Sequence, residues 1–317
     1  MTLQEIYELG IRMGIAADPR GKEEVEKILA KRKKEYEELP EKKKKLFDLE
    51  ELQHPYSDSR LYIGDPKKEI KKVIVGIDAE VGEMVLVDRL NEKGMGIDAV
   101  ITHHPHGNGL AGIHGVAEML TDMAVDAGVP VNVADDIITE RTAYMQRRFV
   151  GVPNHNQTID AARLLSIPFL SFHTVWDNMG WHFVTDYVAK KESETLGELF
   201  DYIGEISEFV EAAKYKAGPM IVAGSRQSKT GKILVEMTGG TNIGKDIFPE
   251  LAKAGIGTVV QMHITEDEIK EMKKQHIHAI DTGHIPSDSI GANLFLDELE
   301  SNGVEVIQFG GLIRVKR

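Results

Sequence analysis

The sequence predicts an α/β protein of two lobes built on mainly parallel sheets, and three observations carry that prediction. Short apolar, β-rich runs alternate with helical stretches from about residue 70 to the end. The 317 residues suffice for one large α/β unit or two ordinary ones. At 42% hydrophobic and 28% charged, the chain can fill buried cores beneath a well-charged surface.

Taken in order, residues 1–16 read as a short amphipathic helix with Ile6, Leu9 and Met13 on one stripe. The turn Asp18-Pro19-Arg20-Gly21 closes it. Residues 22–53 are highly charged and helical, break near Pro40, and read as a solvated appendage, so 1–57 forms a helical N-terminal extension. Strand-like runs follow at 72–77, 97–102, 129–133, 168–172, 219–223, 233–237, 258–262, 277–281 and 304–308. Helical stretches fall at 80–94, 113–127, 156–165, 178–190, 246–254, 265–274 and 288–301. The helical interlude 191–217 reads as the seam between a first lobe, 58–190, and a second, 191–317.

Composition narrows the chemistry. Cysteine is absent, which removes disulfides, thiolate metal sites and cysteine nucleophiles. A formal charge of −13 disfavours duplex nucleic acid as a partner, although a local basic strip can still hold a small phosphate. No apolar run reaches the roughly 18 residues of a membrane span. Glu5 and Glu8 stand where a signal peptide needs basic and then apolar residues, so the expected location is cytoplasmic.

The informative residues follow the strand-like runs. His103, His104, His173, His263 and His284, five of the 12 histidines, come just after the carboxyl end of such a run, the edge where open α/β sheets bind ligands. In ITHHPHG (101–107), neighbouring residues point to opposite sides, so His103 and His104 serve two adjacent ions more easily than one. In SFHTVWDN (171–178), Asp177 stands at the start of a helix, where an N-cap role competes with ligation, and His173 can orient a ligand. In DTGHIPSDSIG (281–291), Gly283 permits a sharp turn, and His284 and Asp288 share a face if a helical turn forms. Three imidazoles and two carboxylates suit Zn, Fe, Mn, Co or Ni, and a carboxylate able to bridge points to two such ions about 3.5–4 Å apart.

Two apparent motifs are set aside. Gly239–Lys245 has the spacing of a phosphate-binding P-loop, but Asp246 replaces the hydroxyl that should hold Mg²⁺. His104-Pro105-His106 matches the H-x-H of metal-dependent amidohydrolase barrels, yet a strand precedes it where those barrels carry it on the first. The richest basic cluster is Arg226, Lys229 and Lys232 around the turn GSRQSKTGK, with Lys245 after the glycine loop; these are the expected grips for an anionic substrate group.

Residues 58–317 resemble the NIF-three-like proteins, the dinuclear-metal family also labelled GTP cyclohydrolase I type 2 homologs. DSRLYIGDP (58–66), VIVGIDA (73–79), ITHHP (101–105), HTVWDN (173–178) and DTGHIPSD (281–288) carry the likeness. The resemblance implies that His103, His104, Asp177, His284 and Asp288 hold two divalent transition ions in a cleft between two α/β lobes. Asp288 stands where the family commonly has Glu, one methylene longer. The resemblance also implies a homo-oligomer, often a toroidal hexamer, and hydrolysis of a nucleotide or related small molecule. His263, His173 and His106 are the candidate acids and bases. The rival expectation is a non-catalytic metal-binding protein that buffers metal or works through partners.

Overall fold

The computed structural model describes residues 1–317 and contains two sheets. The first comprises β1 (Arg60–Ile63), β2 (Lys72–Gly76), β3 (Ala99–Thr102), β4 (Phe169–Ser171) and β9 (Glu305–Gln308), in the order β1-β4-β3-β2-β9. The second comprises β5 (Met220–Ala223), β6 (Lys232–Glu236), β7 (Ile256–Gln261) and β8 (His278–Asp281), in the order β5-β8-β7-β6. Each is parallel except for one antiparallel edge strand, β1 against β4 and β5 against β8. Sheets of this kind are covered on both faces, which accounts for the almost wholly apolar KVIVG and AVIT strands.

The amphipathic helix expected at 1–16 forms as Leu3–Ala16 and is a wall of the first core. Leu3, Ile6 and Leu9 are buried in one cluster with Phe172, Val175 and Phe295. By contrast Lys22–Glu38 buries Val25 alone, as its charge pattern requires. The remainder of the extension is locked by Glu50, which receives hydrogen bonds from Tyr7 and Arg60, while the Arg60 guanidinium also pairs with Asp48 at 2.6 Å. Burial pushes the Glu50 carboxyl up, but bonds from His54 and Tyr7 and the Arg60 charge outweigh it and hold it down at about 2. A depressed carboxyl stabilises the fold above its unfolded value of about 4.3 and loses that contribution as pH falls through about 2. Glu50→Gln is therefore expected to cost about 2 kcal/mol near neutrality and to flatten the acid limb of the stability curve, as read by denaturant melts against pH.

Several local expectations differ from the structure. The run 129–133 is not a strand: Pro130 precedes the helix Val131–Gly151, whose buried Ala134, Ile138 and Met145 follow helical spacing. Strand β1 falls outside the expected runs because it is a short edge strand with a bulge at Leu61/Ile63. The interlude 191–217 forms the helices Leu196–Ile203 and Ser207–Lys214. Their Leu196, Leu199, Ile203 and Phe209 cover one face of the second sheet with Val235, Val260 and Ile280. Residues 302–317 return to the first sheet, where β9 pairs with β2, so the chain crosses back over the 190/191 division. No helix is long and apolar enough to cross a membrane.

Candidate metal centre

Two helices and one strand end build the centre. His103 and His104 leave β3 with their amides bonded to the carbonyls of Gly76 and Ile77, which holds the pair at the carboxyl edge of the first sheet. The helix expected at 178–190 starts earlier, at Thr174–Ala189, so Asp177 lies within its first turn and the N-cap position belongs to His173. The last helix likewise starts at His284, not 288, and runs to Ser301. Gly283 enters it at φ 83°, a conformation open to glycine and strained for other residues. That start puts His284 and Asp288 one helical turn apart, facing the same point.

The five sequence-derived candidates converge. Nε2 of His103 lies 3.3 Å from Asp177 Oδ1 and 3.6 Å from Asp288 Oδ1. Nε2 of His104 lies 3.2 Å from His284 Nε2 and 3.7 Å from Asp288 Oδ2, and His284 Nε2 lies 3.2 Å from that same oxygen. Two triads result, His103–Asp177–Asp288 and His104–His284–Asp288, each with its donor atoms within 4.8 Å of one another. Asp288 serves both, one oxygen toward each, despite its shorter side chain.

The donor set fits cations. His103 Nε2, Asp177 Oδ1 and both Asp288 oxygens are buried without a hydrogen-bond partner, a cost that folded proteins avoid unless something else satisfies the atoms. Burial pushes the Asp177 carboxyl up to about 6, and burial with the Asp177 charge pushes Asp288 well above the usual range. Burial and the neighbouring His104, His263 and His103 hold His284 down at about 3, while burial and His173 lower His103. Carboxylates that resist ionising together and imidazoles that resist protonation are a set that bound dications would relieve.

Supporting residues fix the rings. Asp78 meets His104 Nδ1 at 2.6 Å, and the Phe172 carbonyl oxygen meets His103 Nδ1 at 3.1 Å. Fully buried Asp58 meets His173 Nδ1 at 2.8 Å and accepts from Thr174 Oγ1 at 2.6 Å. Burial works against a charge on His173, but Asp177 and Asp58 together raise its affinity for a proton. Sequence reasoning misses Asp58 and Asp78 as site residues, although they fall within the segments DSRLYIGDP and VIVGIDA.

The remaining candidates divide. His173 joins His103 and His104 within the same 4.8 Å limit, and the His263 ring stands edge-on to His284 with centroids 5.0 Å apart. His106 is not brought to the cluster; it precedes the helix Gly107–Gly112 and packs against Phe169. Nor are Arg226, Lys229 and Lys232. Lys232 opens β6, and Ala223, which ends β5, pairs with Ala279 near the start of β8. The turn between them thus occupies the amino edge of the sheet, about 15 Å of strand from the edge that carries His263 and His284. Arg226 pairs there with Asp201, Lys229 with Glu194, and Lys232 with the Ala127 carbonyl. Lys245, after β6, lies on the carboxyl side and lines a cleft.

The fold and this cluster define a two-lobed α/β protein with a histidine–carboxylate candidate metal centre between its sheets. A NIF3 superfamily protein from Sphaerobacter thermophilus has a similar structure, with 29% identity over 83% of this chain and 95% of that one and a TM-score of 0.74. The chain is thus similar in fold to the NIF3 superfamily over most of its length. More distant likenesses include reduced HcgD from Methanocaldococcus jannaschii, at 17% identity over 80% of this chain and 88% of that one, TM-score 0.48. A protein from Thermus thermophilus has 14% identity over 84% of this chain and 93% of that one, also at 0.48. No family profile and no curated protein sequence matches the chain.

Proposed function

We propose that this protein is a hydrolase dependent on two divalent transition ions, Zn, Fe, Mn, Co or Ni, acting on a nucleotide or related small molecule. The observation that carries the reading is Asp288, a buried carboxylate with one unpartnered oxygen in each of two histidine-containing triads. His103 and Asp177 would complete one site, and His104 and His284 the other. Bound there, the ions would supply Lewis acidity and ease the ionisation of water near neutral pH. The half-exposed side chain of His284 and the partly exposed one of His104 would leave the centre open to a substrate. His263 and His173 are the nearby groups able to accept or donate a proton, with Asp58 holding the His173 ring in a fixed tautomer. The homo-oligomer belongs to the same reading.

Protein purified without chelator or nickel affinity should carry about two transition ions per chain by elemental analysis. A screen of nucleotides and phosphoesters should then find a turnover that His103→Ala abolishes. Metal retained with no turnover in any substrate or metal would replace the hydrolase with a metal-buffering or partner-acting protein. Absence of metal even after reconstitution would remove both readings.

A further inference from the structure

We infer that the cleft between the helix Val131–Gly151 and the loop after β6 is a binding site for the phosphate or pyrophosphate group of a small molecule whose other end reaches the metal centre. As an account of the substrate it rests on the proposed hydrolase; as an anion site it stands on the cleft alone. The cleft is the most voluminous of the chain's main cavities, at about 1110 Å³. Its link to the centre runs through Thr265 on its wall, two residues and at most about 7.6 Å between Cα atoms from His263, whose ring stands 5.0 Å from that of His284.

Its cations are unusual for this chain. Seven of the 12 arginines pair with a carboxylate within 4.0 Å; of the five that do not, Arg141, Arg147 and Arg148 line this one cleft, together with Lys245, which is also unpaired. In a protein of charge −13, four such cations in one place are conspicuous. Arg141 is held in position by neutral acceptors, Nη2 donating to Asn242 Oδ1 at 2.8 Å and to Thr241 Oγ1 at 3.1 Å. Its Nε is buried and has no partner. A positioned guanidinium with idle donors is a receptor for a planar or tetrahedral oxyanion.

None of the acidic residues on the same walls forms a close ion pair with these cations. Glu268 is occupied by Asn242 and Thr265, and Asp267 pairs with Lys270. Glu140, Asp246 and Glu266 stay more than 4.0 Å from every cation of the cleft. The three guanidinium groups thus have no carboxylate within ion-pair distance, which leaves them available to a ligand that makes short contacts.

The probe is pyrophosphate, titrated by calorimetry into full-length protein stripped of metal, so that the centre itself cannot bind it. Wild type should bind, and Lys245→Ala and Arg148→Ala should each weaken binding about tenfold, the value of one charge-assisted contact. Arg226→Ala, at the opposite sheet edge, should leave it unchanged. Arg141→Lys retains a charge but not the fork and should also lose affinity, with circular dichroism confirming that the loop it anchors is still folded. Failure of stripped wild type to bind, or binding indifferent to the cleft variants, overturns the inference and leaves the hydrolase reading to its own metal and turnover tests.

Discussion

Asp288→Asn protein, purified without chelator, is expected to carry less than about a tenth of the transition metal found in wild type. The amide nitrogen cannot ligate as the second oxygen does, and the lost charge no longer offsets two dications held in a buried site. Both triads lose a donor at once, because Asp288 is the residue they share. His155→Ala and His182→Ala, outside both triads, should retain full occupancy. The same variant separates ligation from folding. Stripped of metal, Asp288→Asn should melt at or above the wild-type temperature, since the two unpartnered carboxylate oxygens and the repulsion from Asp177 are removed. Added metal should raise the wild-type melting temperature far more than the variant's. Equal occupancy in all these proteins would mean that Asp288 is not a ligand.

Gly291→Ala is expected to damage the centre without touching a donor atom. A Cβ at Gly291 would fall 1.9 Å from the Trp176 carbonyl oxygen and 3.1 Å from the Gly180 amide nitrogen. Those atoms are backbone and cannot swing aside as a side chain can. The helices Thr174–Ala189 and His284–Ser301 cross here, one carrying Asp177 and the other His284 and Asp288. Forcing them apart should cost about 3 kcal/mol or more and pull the carboxylates of one triad out of register. Denaturant melts and elemental analysis together test this, and a metal content and stability equal to wild type would show that the crossing is not so constrained. Gly82→Ala is the control: a Cβ there meets nothing within 4 Å, and inside a helix alanine should be neutral or slightly stabilising.

The sequence alone determined the α/β class and the segments that carry the centre, and it did so for local reasons. Short apolar runs rich in β-branched residues, such as KVIVG and AVIT, favour buried strands over helices once turns bound them. A histidine placed after such a run must emerge at the sheet edge, which is why His103, His104, His173, His263 and His284 were legible. Other features depend on partners far along the chain. The 129–133 run looks like a strand until Pro130 and the buried stripe Ala134–Ile138–Met145 make its second half the start of a helix. Arg226, Lys229 and Lys232 look like a phosphate grip until the strand register sends their turn to the opposite edge, where carboxylates and a backbone carbonyl engage them. Asp288 could be named from its spacing to His284, but its division between two triads is set by the crossing of two helices more than 100 residues apart. Arg141 carries no motif at all. Tertiary packing alone brought it to the loop after β6, because a guanidinium acquires its chemistry from the acceptors that surround it, and here those are neutral.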